Sequence, residues 1–145
     1  MKKLFLILLL LAGPALAEWK EYKNAQAGFR ASFPEKVTFA KDGPMEMFHA
    51  GAFTVAVLPQ AWSKSRYGLL KSFLELGPDY ARANLARNER EVDERPGLEL
   101  SGVDHDGSPV LIHLVHTPSR GYAIIGRSFD MKENLQFVNS FRFVP

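Results

Sequence analysis

The chain contains no cysteine. Disulfides therefore take no part in holding it together. A lipoprotein anchor, which is attached to a cysteine at the processed N-terminus, is excluded as well. The longest wholly apolar run, Leu4 to Ala12, is too short for a membrane span, which needs about 20 residues. There is no Gly-x-Ser-x-Gly elbow to present a nucleophilic serine. Neither Gly-x-Gly-x-x-Gly nor Gly-x-x-x-x-Gly-Lys occurs, so no phosphate-binding loop is legible. Internal repeats, low-complexity tracts and linkers are also missing. These absences predict no catalytic residue, no resident metal and no cofactor.

What the chain does have at its start is a three-part export signal. Lys2 and Lys3 form a positive segment, Leu4 to Ala12 an apolar one, and Gly13-Pro14 a break. Ala15 and Ala17 then supply the small residues that a signal peptidase inspects, which predicts cleavage after Ala17. The expected product is exported, periplasmic or extracellular, with no stable membrane anchor. The two lysines leave with residues 1–17, so 16 of the 18 basic residues remain against 16 acidic ones. The apparent charge of +2 thus vanishes, and with it any electrostatic reason to expect nucleic acid or an anionic membrane as partner. Removing 17 of 145 residues leaves 128, residues 18–145, the length of one domain. Such a domain buries roughly two-thirds of the surface of its unfolded chain.

Those residues read as strands around a helical middle. Phe29, Ala31 and Phe33 alternate with Arg30 and Ser32 at strand period, and Pro34 closes the run. Residues 37–39 suit a second strand, Asp42-Gly43-Pro44 a turn, and residues 45–50 and 53–58 two more strands. Phe53 to Leu58 is apolar at both parities, as in a central strand covered on both sides. Ser63 or Ser65 suits a helix cap, after which Leu69, Phe73 and Leu76 line one helical face with Leu70 and Leu74 beside them. Gly77-Pro78 breaks that helix, and residues 79–88 are expected as a second one with Asp79 in its first turn. Arg95-Pro96-Gly97 is expected as a turn. Leu98 and Leu100, residues 110–116 and residues 122–127 predict an antiparallel meander, with Asp106-Gly107 at its first hairpin. Asp130 and Glu133 have capping-box spacing, Leu135 and Val138 share a helical face, and Phe141 and Phe143 alternate with Arg142 in a closing strand. Strand runs on both sides of a helical segment predict an α+β domain with an antiparallel sheet.

Trp19 and Tyr22, followed by Gly28-Phe29-Arg30-Ala31-Ser32-Phe33-Pro34, resemble the opening of the PsbP-like domains of exported bacterial proteins. Arg120-Gly121-Tyr122 before an apolar strand, and Asn139-Ser140-Phe141-Arg142-Phe143 after a short helix, resemble their ending. The likeness spans essentially the whole of residues 18–145. It implies a central antiparallel β-sheet flanked by helices on both faces, an α/β/α sandwich, and no catalytic activity. Relatives of this fold act mostly as accessory or protein-binding modules: the photosynthetic members assist the oxygen-evolving complex, and a yeast relative binds the Ran GTPase. No functional residue carries over, because no functional motif of the family matches.

Four residue groups invite a site. Asp104-His105-Asp106 is the densest set of metal-ligand types, but adjacent strand residues point to opposite faces, and Asp-Gly at 106–107 reads first as a hairpin turn. His113 and His116 lie three apart on one strand and hence on opposite faces; either would have to pair with His49 or a distant acid. They read as half-buried histidines satisfied by hydrogen bonds. Arg82, Arg87 and Arg90 stand among Glu89, Glu91, Asp93 and Glu94, a mixed solvated face rather than an anion reader. Trp19 and Tyr22 read as aromatics pinning the first segment to the core. The expected function is a non-enzymatic accessory module binding a protein or envelope component. The alternatives are a small metal-binding protein or hydrolase built on the histidines and aspartates, and a carrier of a small apolar ligand.

Overall fold

Short turns cut the chain into hairpins, and their geometry sets the register of each. The computed structural model describes residues 18–59 and 65–145. The strands are β1 (Lys20–Asn24), β2 (Phe29–Phe33), β3 (Thr38–Asp42), β4 (Met45–Ala50), β5 (Phe53–Pro59), β6 (Ala86–Val92), β7 (Arg95–Val103), β8 (Pro109–His116), β9 (Arg120–Gly126) and β10 (Arg142–Phe143). The helices are α1 (Arg66–Leu76), α2 (Pro78–Arg82) and α3 (Met131–Ser140). A seven-stranded sheet runs β3-β4-β5-β9-β8-β7-β6, and a three-stranded sheet runs β1-β2-β10. All pairs are antiparallel. The domain is therefore α+β. The expected signal segment with Ala15 and Ala17, and the candidate cap Ser63, lie outside the described residues.

Alternation along the central strands builds two apolar clusters. Val55 and Val57 of β5, Leu111 and Val115 of β8, and Ile124 of β9 enter one, with Phe29 and Phe33 of β2 and Phe137 of α3. Ala56 and Leu58, Ile112 and Leu114, and Ala123 and Ile125 enter the other, with Leu69, Leu70 and Phe73 of α1. Residues of opposite parity on one strand lie on opposite faces. The apolar runs of β5, β8 and β9 thus have packing on both sides, as expected for Phe53 to Leu58.

The motif residues at the two chain ends meet. The guanidinium of Arg120 donates to the Gln26 carbonyl at 2.7 Å, and the Tyr122 hydroxyl donates to the Ala27 carbonyl at 2.6 Å. Gly28 sits at φ +80°, and a side-chain carbon there would lie 2.8 Å from the Tyr122 hydroxyl. The Phe29 ring stacks on Phe141 at 5.9 Å, and Tyr122 contacts Phe141 and Phe143. Trp19 meets Phe53 edge-on at 5.1 Å, and Tyr22 touches Phe29, Phe33 and Phe48. Both aromatics pin the first strand, as their placement suggests.

Three expectations need correction. The second helix stops at Arg82, and residues 86–92 form β6, paired with β7 along its whole length. Asn84 at φ +53° ends the helical turn, and β6 is an edge strand with only Val92 buried, so no apolar period announces it. The turn lies at Asp93-Glu94, both at positive φ (47° and 70°), the backbone of a type I′ hairpin. Arg95-Pro96-Gly97 belongs to β7; Pro96 faces Glu91 just beyond the first β7–β8 pair, Gly97 with Val115. In α3 the buried face is Asn134, Phe137 and Val138, while Leu135 points to solvent. Its cap is relayed: Asp130 accepts from the Lys132 N–H, whereas Glu133 accepts from the Ser128 hydroxyl, which itself accepts from the Asp130 N–H. Ser65 caps α1 by accepting from the Gly68 N–H at 3.0 Å.

Candidate functional site

Seven strands make a wider sheet than one helix can cover. Strands lie about 4.8 Å apart, and a helix is about 10 Å across, so it shields roughly two of them. Phe48, Ala50 and Phe53 are buried in one cluster with Phe29 and Phe33 of β2 and Phe137 of α3. α1 packs on β7 and β8 and shares the second cluster with them. On that side Ala56 and Leu58 of β5 are buried with α1, while Met45 and Met47 of β4 stay half-buried.

The result is a groove of about 590 Å³ between the sheet and the α1–α2 pair. Met45 and Met47 of β4 and Ala56 of β5 form its floor, and Phe73, Leu76 and Tyr80 its wall. Met45 and Met47 are only half-buried, and Leu76 is 45 % exposed. Methionine suits such a floor because its unbranched thioether adapts to different shapes. Phe73 and Tyr80 stack at 5.3 Å, which ties α2 to α1. At one end Arg127 lies 5.6 Å from the centre of the Tyr80 ring and donates to Asp104 at 2.6 Å. The hydrogen bond from Arg127 lowers the Asp104 pKa, and the carboxylate in turn raises that of Arg127. Burial raises the Tyr80 phenol pKa. The groove thus has an apolar floor and wall, with Asp42, Thr54 and Ser108 also in its lining and the Arg127–Asp104 ion pair beside Tyr80.

Two further clefts are more polar. One, of about 660 Å³, lies on the opposite face of the same sheet end, beside Tyr22, Phe39, Glu46 and Phe48. The other, of about 520 Å³, lies by Arg90, Asp93, His113 and Arg142. His113 is buried; its Nε2 is 3.0 Å from a Glu99 carboxylate oxygen, which also accepts from Arg90 at 3.0 Å. A carboxylate only accepts, so Nε2 carries the ring proton. Burial lowers the His113 pKa, against the opposing pull of Glu99.

The suggested ligand groups come out dispersed. One Asp104 oxygen accepts from the N–H groups of Asp106 and Ser108, and the other takes Arg127, so this residue builds the hairpin tip. His105 is exposed beside Asp106. No cluster of three or more His, Asp or Glu side chains able to hold a metal occurs among the described residues. His49 sits by Thr38 near the sheet edge, far from the His113–Glu99 pair in strand order. Arg82 pairs with Asp79, and Arg90 joins Glu99 and Asn139. Arg87 and Arg90 lie on a strand, at opposite parities, so they form no common patch. The sequence reading missed Met45, Met47, Tyr80 and Arg127 as companions. Their one local signal is the half-apolar alternation of Met45 and Met47; the rest is tertiary.

No family model and no curated protein matches the chain. Among solved structures, the solution structure of cyanobacterial PsbP (CyanoP) from Synechocystis is similar over 88% of this chain and 93% of its own, with a TM-score of 0.59 and 10% identity. The fold is PsbP-like. A crystal structure from Bacteroides thetaiotaomicron also matches 88% of this chain, but 49% of its own, with a TM-score of 0.44 and 10% identity. The resemblance drawn from Trp19, Gly28-Phe29 and Arg120-Gly121-Tyr122 therefore holds for the PsbP-like fold. Those residues build its aromatic core and the clamp on the turn before β2. The groove under α1 is a separate feature of this PsbP-like domain.

Proposed function

We propose that the chain is an exported, non-enzymatic accessory module that holds an apolar segment of a protein partner in the groove over β3–β5. In this reading helices flank both faces of the large sheet in an α/β/α sandwich, and the groove lies between the α1–α2 pair and β4. The half-buried methionine floor carries the proposal, because an unbranched thioether adapts to partner surfaces of different shape. PsbP-type accessory proteins with this fold support binding rather than catalysis. An open trough suits a protein segment better than an enclosed small molecule. Its volume nevertheless lies in the range of small-ligand sites, which keeps an apolar ligand as the second reading.

Two measurements test this. N-terminal sequencing of the protein recovered from the cell envelope should begin at Glu18; a product that retains Met1 rejects export. A photo-crosslinker placed at Met47 should yield one discrete protein adduct in cells, lost on Met45→Glu, which sets a charge on the half-buried part of the floor. The same crosslinker at Arg87 serves as control. Identical adducts from both positions would sink the groove as a binding site. A lipid-sized mass retained in native mass spectrometry, without a protein adduct, would favour the second reading.

A further inference from the structure

The two edges of the large sheet are unlike. Edge strands expose unpaired N–H and C=O groups and are commonly blunted with charge. At β6 the residues whose backbone turns outward are Arg87, Glu89 and Glu91, and Glu89 is engaged by Arg66 and Tyr67 of α1. At β3 every residue is exposed, Phe39 to 54 %. Gly43, at φ +60°, and Pro44 form a two-residue turn between Asp42 and Met45. Such a turn makes its flanking pair a hydrogen-bonded one, so Asp42, Ala40 and Thr38 bond to β4. Phe39 and Lys41 then direct their N–H and C=O groups away from the sheet.

We propose that this edge pairs with itself: two copies of the chain join β3 to β3, antiparallel, about a two-fold axis at Ala40. Paired residues must share a face, which permits only registers centred on a residue. Centring on Lys41 would place two lysines opposite each other. Centring on Phe39 would engage only three of the strand residues. Centring on Ala40 engages all five, and the pairs complement one another. Phe39 opposes Lys41 of the second copy, an aromatic face against a cation. Thr38, whose hydroxyl donates to the His49 carbonyl of its own chain, opposes Asp42, so both ends of the pairing are polar. Ala40 opposes Ala40, two small side chains where the strands come closest. Phe39 and Lys41 supply four main-chain hydrogen bonds between the copies. A two-fold perpendicular to the sheet also keeps like faces together, so the two grooves merge into one trough walled by both α1 helices. The pairing does not depend on what the groove holds.

An interface of one strand pair is small, so association should be weak and concentration-dependent. Sedimentation equilibrium of the processed protein should show a monomer–dimer equilibrium. Phe39→Lys sets lysine against Lys41 and should abolish the dimer; adding Lys41→Glu should restore it through a lysine–glutamate pair in the same register. Because the protein has no cysteine, Ala40→Cys introduces a single thiol. The two Ala40 positions form a non-hydrogen-bonded pair with Cα atoms about 4.5 Å apart, within disulfide reach. Mild oxidation should link Ala40→Cys into a covalent dimer and leave an Ala86→Cys control monomeric. A monomer at every concentration overturns the proposal. So does a dimer indifferent to Phe39→Lys, or one that Ala86→Cys links equally well.

Discussion

His113 is buried beside Glu99, and burial holds its pKa below the ordinary 6.5. The unfolded chain therefore takes up a proton at this residue before the folded one does. Stability from the neutral ring is complete above pH about 6.5 and declines as pH falls through that value, levelling off only below the depressed folded pKa. Asp104 acts in a lower window: its pKa is lowered by Arg127, so its contribution fades only under stronger acid. Denaturant midpoints measured between neutral and mildly acidic pH should fall for the wild type. His113→Gln, which keeps a donor for Glu99, should flatten that slope. An unchanged slope would show that another group dominates. At this scale the sequence was informative about roles more than about partners. That His113 and His116 point to opposite faces follows from strand period alone. That Glu99 meets His113 follows from the β7–β8 register, which no local pattern specifies.

Among the elements, β6 was the least legible. Its seven residues bury one side chain, Val92, so burial leaves no mark on its composition. Its identity comes from hydrogen bonding to β7 and from the Asp93-Glu94 turn. That turn requires positive φ at residues that carry side chains, which costs about 1–2 kcal/mol for an ordinary residue. Glu94→Gly removes this strain at φ +70° but adds freedom to the unfolded chain. The net expectation is a gain of about 0.5–1 kcal/mol, read from urea denaturation. A loss of stability would mean that the strain is already relieved by contacts of the Glu94 side chain. By contrast β2, β5, β8 and β9 were legible in full, because alternation against a covered face imposes itself on the sequence.

Across the whole molecule, the two apolar clusters share three strands: β5, β8 and β9 each feed both. Neither cluster can melt without exposing the reverse side of the other, so the domain should unfold as one unit. Ile112→Ala in one cluster and Ile124→Ala in the other should each cost about 2–5 kcal/mol. Each should also lower the far-ultraviolet and near-ultraviolet circular dichroism transitions together; transitions that separate in either variant would reveal two independent parts. The groove belongs to this scale too. It arises where α1 and α2 stop short of β4 on the seven-stranded sheet. It draws on β4, β5, α1, α2 and the segment after β9. No stretch of sequence contains it, which is why the fold could be read and the binding face could not.

The clamp that Arg120 and Tyr122 place on the turn before β2 also has a temporal side. β2 pairs with β10, Arg30 opposite Arg142 and Phe29 opposite Phe143, and β5 pairs with β9. β2 and β5 thus wait for partners that are synthesised much later. Until β9 and β10 have been made, the domain has hairpins but neither finished sheet.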